Sequence, residues 1–258
     1  MAKKITSIIP ISFLSLKRMS NLALIAVILF LTACTTTNSI NNAESLVISD
    51  DGAKVLVMPM DVELSVLTAI GALEPNAEWS IAASEYIGTA IIDKLSTLGY
   101  ESEVFVNPSD DPASDYVQLE KLHEVVGAMA LNHHMAPVKL TLPAKHPEFD
   151  WSLGDDAQIL KQGTDADYAL FVYFRDSYSS AGRVAMQVGM ALLGVGVAGG
   201  QQLGFASLVN LDSGDIAWFN FLASSVGDAR EPETAAKAVE NLLDNLPSQI
   251  EENIAHSE

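Results

Sequence analysis

Tyr168-Ala-Leu-Phe-Val-Tyr-Phe174 is seven consecutive apolar or aromatic residues opened by Asp167. A strand with apolar side chains at every position has no face to give to water, so it belongs in the middle of a sheet covered on both sides. Downstream, Phe205-Ala-Ser-Leu-Val-Asn-Leu211 and Asp215-Ile-Ala-Trp-Phe-Asn-Phe-Leu222 are strand-like and meet through Asp212-Ser-Gly-Asp215. That polar turn carries a glycine able to take positive φ, which makes the pair a hairpin.

Upstream of the run the period changes. From Glu78 to Leu98 the pattern is helical, with Tyr86 or Ile87, Ala90 or Ile91, Lys94 or Leu95 and then Leu98 recurring every three to four positions, and Gly99 should end the helix they define. Lys54-Val-Leu-Val-Met-Pro-Met60 before it and Glu103-Val-Phe-Val-Asn107 after it read as strands, each closed by a proline. A second helix is expected from Ser114, a suitable cap, to about Met129, with Leu119, Leu122, Val126 and Met129 on its inward face. Residues 137–142 suit a short strand, and 155–162 a brief helix stopped by Gly163. At the far end Pro232 fits the first turn of a helix whose stripe is Ala235, Val239, Leu242, Leu243 and Leu246. Strands alternating with helices long enough for crossovers give an α/β fold: a mixed sheet with helices packed on it.

The front of the chain has different chemistry. Lys3, Lys4, Lys17 and Arg18 precede an apolar run of about 11 residues, Leu22 to Thr32, which ends in Ala33-Cys34. Roughly 20 apolar residues are needed to cross a bilayer, so the run reads as a signal peptide, removed after residue 33. Leu31-Thr32-Ala33-Cys34 is similar to a lipobox, where the thiol receives a lipid and the chain is cut just before it. Cys34 is the only cysteine, so it has no partner for an intramolecular disulfide. Acylation, with chains such as palmitate, would consume the thiol and anchor the protein. The expected organisation is a signal peptide at 1–33, a lipidated flexible tether at 34–45, one α/β domain at 46–249 and a flexible tail at 250–258. The tether expectation rests on the polar, unpatterned Thr35 to Ser45.

All 33 acidic residues follow Cys34 but four of the 14 basic ones precede it, leaving ten bases against 33 acids, a formal charge of −23. Phosphate backbones need a positive footprint, so nucleic acid is excluded as a partner. Such acidity serves solubility, and membrane association must come through the N-terminal lipid.

No motif argues for an enzyme. Gly-x-Ser-x-Gly, the phosphate loop and the dinucleotide fingerprint are absent, and the one cysteine is assigned to the anchor. Glu120, His123, Glu124, His133 and His134 contain zinc-ligand chemistry, but the position four after His123 is Gly127, not histidine. They read as solvated or capping residues near a helix end, and no metal or cofactor is expected. The carboxylate pairs Asp110-Asp111, Asp155-Asp156 and Asp165-x-Asp167 fall in loops of an acidic chain. The alternative to a non-enzymatic role is an envelope hydrolase using Asp165 and Asp167.

One stretch fits neither loop nor strand. Val184-Ala-Met-Gln-Val-Gly-Met-Ala-Leu-Leu-Gly-Val-Gly-Val-Ala-Gly-Gly200 is 17 residues without a charge. It is buried against the sheet, or a surface for a membrane or a partner subunit through Val184, Met186, Val188, Met190, Leu192, Leu193, Val195 and Val197, or a membrane span, for which it is short and rich in glycine.

The lipobox, the strand Val55-Leu-Val-Met-Pro59 and the hairpin from Leu208 to Trp218 resemble the envelope lipoproteins related to the curli-secretion lipoprotein, the penicillin-binding-protein activators and the N-terminal domain of the Tol-Pal beta-propeller protein. The resemblance implies a Rossmann-like or anticodon-binding-domain-like fold and a non-enzymatic adaptor facing the periplasm. Thr35 in place of aspartate implies the outer membrane. The expected partners are the membrane, through the lipid, and an envelope protein or a second copy. The glycine-rich stretch lacks the polar alternation of the curli channel's barrel strands.

Overall fold

The computed structural model describes residues 35–42, 46, 52–109, 111–134, 142, 145 and 149–249. The signal peptide, Cys34, the tail at 250–258 and most of the strand expected at 137–142 lie outside the described residues; Leu142 itself is not in a strand.

The molecule is an α/β protein built on an open, mixed, eight-stranded sheet. Its elements are β1 (Thr35–Asn41), β2 (Lys54–Val57), β3 (Asp61–Leu67), β4 (Leu73–Pro75), α1 (Ala77–Thr97), β5 (Glu101–Val104) and α2 (Asp115–His134). A 3-10 helix (Asp155–Lys161), β6 (Tyr168–Ser179), α3 (Ala181–Leu192), β7 (Gln202–Asn210), β8 (Ile216–Ser224) and α4 (Pro232–Leu242) follow. The main order is β1-β8-β7-β6-β2-β5. β6 is the centre: antiparallel to β7 on one side, and on the other parallel to β2 at its beginning and to β3 over its later half. β2 and β3 follow one edge of β6, interrupted at Met58-Pro59-Met60, where proline has no N–H to offer the ladder.

Both faces of β6 are covered, as its unbroken apolar run requires. Tyr168, Leu170, Val172 and Phe174 pack with Ile87, Ile91 and Leu95 of α1 and Val239 and Leu242 of α4. Ala169 and Phe171 face the other way, toward Leu119 and Ala130 of α2 and toward Trp151, Phe205 and Phe219. Asn76 caps α1 by accepting from Trp79 N at 3.0 Å. The buried Asn220 amide donates to the carbonyls of Asn241 and Leu242 at 2.9 and 2.8 Å, satisfying the end of α4.

Three expectations are corrected. The segment expected as a tether is strand β1, paired antiparallel to β8 from Thr35↔Ser224 to Asn41↔Trp218, so the folded unit begins at Thr35 rather than 46. Its β-branched threonines suit an edge strand, and Thr35 Oγ1 and Ser224 Oγ share a 3.0 Å hydrogen bond. β3 was not anticipated, because Pro59 read as a stop. The inward face of α2 is Leu119, His123, Gly127, Ala130 and His133; Leu122 and Met129 point outward. A helix closes on the sheet where it is thinnest, and a Cβ on Gly127 would lie 2.3 Å from the Phe205 ring. That glycine fixes the face.

Candidate functional site

The strand registers bring one row of residues across the sheet: Thr35 opposite Ser224, Ser224 opposite Gln202, Gln202 opposite Asp176, and Asp176 opposite Leu64. β3, β6 and β8 finish at this end, and β1 and β7 begin there. Behind the row, buried Asp176 accepts from the Tyr178 hydroxyl, from Gln202 Nε2 at 2.8 Å and from Ala229 N at 3.2 Å. Burial pushes its carboxyl up, while those hydrogen bonds pull the other way. Arg230 lies over the Tyr178 ring at 3.9 Å and pairs with Asp228 at 2.6 Å, fastening the loop after β8 to this end.

Between β6 and β7 the chain leaves the sheet as α3 and a return segment. Ser180 accepts from Arg183 N at 3.2 Å to start the helix, and Gly194, at φ +77°, turns the chain back. Arg183 Nη2 and Nε donate to the Ala198 carbonyl at 2.7 and 3.1 Å, and Gln187 Nε2 donates to the Val197 carbonyl at 3.2 Å. The outgrowth is thus braced by its own return. No residue of α3 is buried. Of the candidate contact residues, Val184, Val188, Leu192, Leu193 and Val195 are 47, 59, 84, 76 and 44 % exposed, while Met186, Met190 and Val197 are half-buried. The reading in which this stretch packs against the sheet therefore fails for the helix and holds only at the end of the return, where a Cβ on Gly200 would lie 1.9 Å from the Ser177 carbonyl oxygen.

A second apolar surface was missed by sequence reasoning. The outward residues of α2, Val125, Ala128 and Met129, face Leu203, Phe205 and Phe221 across a groove of about 740 Å3 that also touches Thr36. Met129 carries its signal in the sequence, where the helix pattern assigns that residue to the core. An apolar concavity of this size is the usual form of a binding site.

The histidine candidates have structural partners, as do two of the carboxylates, Asp111, which accepts from Ala113 N at 2.9 Å, and Asp167; Asp110 lies outside the described residues. Asp167 Oδ2 accepts from Lys54 N at 2.9 Å, which joins the starts of β2 and β6; Asp165 is exposed nearby on an open depression of about 310 Å3. Asp155 and Asp156 open the 3-10 helix. The histidines are not solvated. His133 Nδ1 accepts from Leu142 N at 3.0 Å, leaving Nε2 to donate to the Lys145 carbonyl at 3.2 Å, and His134 Nε2 accepts from the Trp151 indole at 3.0 Å. Among the described residues, no three His, Cys, Asp or Glu side chains gather as a metal-holding group.

No family model and no curated protein matches the chain. Among solved structures, the PelC dodecamer from Paraburkholderia phytofirmans is similar at 12 % identity and a TM-score of 0.39, over 84 % of this chain and 99 % of that one. A methionine-for-leucine variant of the same dodecamer gives 10 % identity and a TM-score of 0.37 over the same shares of the two chains.

His123 is buried between α2 and the sheet, stacked on Phe171 at 4.4 Å between ring centres, with Nε2 and Ser207 Oγ 2.9 Å apart. Burial pushes the imidazole down to about 3 from an ordinary 6.5. As pH falls through 6.5 the unfolded chain gains a proton that the folded one refuses, so stability is lost from there down toward pH 3. Urea unfolding at pH 7 and pH 5 should show the native protein losing roughly 1 to 2 kcal/mol more than His123→Gln over that interval. Equal losses would mean that the imidazole is not held neutral.

Proposed function

We propose that this chain is a bacterial envelope lipoprotein, held by acyl chains on Cys34 to the periplasmic face of the outer membrane, whose domain binds or assembles an envelope partner without catalysing a reaction. The observation that carries the binding role is the apolar groove between α2 and the β7–β8 hairpin, with Val125, Met129 and Leu203 exposed along it. Soluble proteins seldom leave a concave apolar surface of this kind open unless something fills it. The anchor is supported by the lone cysteine at the end of a basic and then apolar leader. The hydrolase alternative is disfavoured by Asp167, whose carboxylate is engaged by the Lys54 N–H.

A photoreactive benzoylphenylalanine introduced at Met129 of the full-length protein in cells should give a discrete cross-linked species in the membrane fraction. The same residue at Ser213, in the turn at the opposite end of β7, should give none. In the protein carrying the photoreactive residue at Met129, Val125→Asp with Leu203→Asp should lower that capture by more than about tenfold, because an unpaired charge in an apolar contact costs more than 1.4 kcal/mol. Both positions are exposed, so folding stability should change by only about 0.5 kcal/mol per substitution. The role falls if no species forms, or if the charged variant captures it equally well.

A further inference from the structure

We infer that α3 and its return segment lie in the bilayer interface beside the anchor, with Val188, Leu192 and Leu193 among the acyl chains. The inference rests on the lipid anchor proposed above. It follows from where the ordered strands begin and end. Cys34 directly precedes Thr35, and Thr35 is already hydrogen-bonded in β1, so no slack chain separates the lipidated residue from the sheet. Thr35 shares its row with Asp176 of β6, three strands away, a lateral offset of roughly 15 Å. β6 then runs three residues further, to Ser179, about 10 Å along the strand direction, before α3 starts. The outgrowth therefore extends beyond the level of Thr35, and a bilayer holding the lipid of Cys34 meets α3 before it meets the sheet.

The chemistry of this end fits that contact. Residues 177–211 contain no acid and one base, Arg183, in a chain with 33 acids, so the outgrowth itself offers no like charge to anionic headgroups; Glu74 of β4 and Asp228, which is paired with Arg230, also lie at this end of the sheet. Ile70, in the turn after β3, is 91 % exposed, and a Cβ on Gly182 at the start of α3 would meet Ala69 Cβ at 3.3 Å, so the apolar surface continues from the helix onto that turn. At 12 residues α3 is about 18 Å long, too short to cross about 30 Å of hydrocarbon but suited to lying along its boundary. The opposite end of the sheet carries Glu101, Asp165, Asp212 and Asp215, which keeps it in water.

The test uses full-length protein carrying Leu192→Cys or Ser213→Cys, purified after processing and labelled with bimane in phosphatidylethanolamine–phosphatidylglycerol vesicles containing a nitroxide-bearing lipid. Acylated Cys34 takes no label, so the unmodified sequence serves as the control. Quenching at position 192 should exceed that at 213 by about threefold or more, as expected for a residue within the acyl boundary. Equal quenching, with an unlabelled control, overturns the membrane contact and leaves the anchor standing. Emission at 192 that shifts with protein concentration, without lipid quenching, assigns the surface to a second copy and also overturns it. A control that takes label overturns the anchor and the contact together.

Discussion

Gly214→Ala should destabilise the domain by about 3 to 5 kcal/mol, enough to unfold a protein of ordinary stability near physiological temperature. Two effects add. Gly214 has φ +75°, where an alanine is strained, and its Cβ would fall 2.0 Å from the carbonyl oxygen of Gly154. Neither partner can yield cheaply, because the contact is backbone against backbone. Leu153 N donates to the Gly214 carbonyl at 2.8 Å and Ile216 N to the Trp151 carbonyl at 2.9 Å, so the hairpin turn is laced to the 151–154 segment. Gly163 supplies the comparison: it has φ +90° with open space where its Cβ would be. Gly163→Ala should cost only the conformational part, about 1 kcal/mol. Urea unfolding of the two variants checks the difference, and similar losses would show that the close approach to Gly154 does not matter.

Trp218→Ala should cost about 3 to 5 kcal/mol, the range for emptying a large aromatic site in a core. Trp218 is fully buried in β8, and its indole donates to the Asn245 carbonyl at 3.1 Å. It joins the sheet to the turn after α4, where Asn245 holds φ +58°. Trp218→Phe should recover more than half of the loss, because it restores most of the apolar volume but not the donor. Thermal unfolding would order the three proteins; a phenylalanine variant as unstable as the alanine one would assign the effect to the hydrogen bond.

The fold was readable where one element carried its signal alone. The run from Tyr168 to Phe174 has no polar position, so a doubly covered central strand was the only arrangement that left nothing apolar in water, and β6 is that strand. The hairpin, the proline-led α4 and the glycine-terminated α1 were legible for similar local reasons. What failed depended on partners distant in sequence. Thr35–Asn41 is polar because it is an edge strand, and nothing within those seven residues reveals the β8 edge that they complete. Val62, Leu64 and Val66 of β3 do alternate, but the signal of a stop at Pro59 hid them. In α2, a hydrophobic stripe competed with a stripe containing His123 and Gly127, and the sheet selected the second because Phe205 leaves room for a glycine only.

The candidate contact surface divides in the same way. The apolar character of residues 184–200 was plain in the sequence, but apolarity alone does not distinguish a helix packed on a sheet from one projecting beyond it. The groove beside Met129 could emerge only once α2 had turned its other face inward. Cys34, by contrast, is proposed as the lipidated residue on chemistry that needs no fold: one thiol, placed after a short apolar leader.

The proposed anchor and membrane contact depend most on the covalent state of that thiol. Intact-mass analysis of the full protein extracted from bacterial membranes should find a polypeptide starting at Cys34, heavier than its amino-acid sequence by a diacylglyceryl group and an amide-linked acyl chain. A polypeptide with its first 33 residues retained, or with Cys34 unmodified, would contradict it.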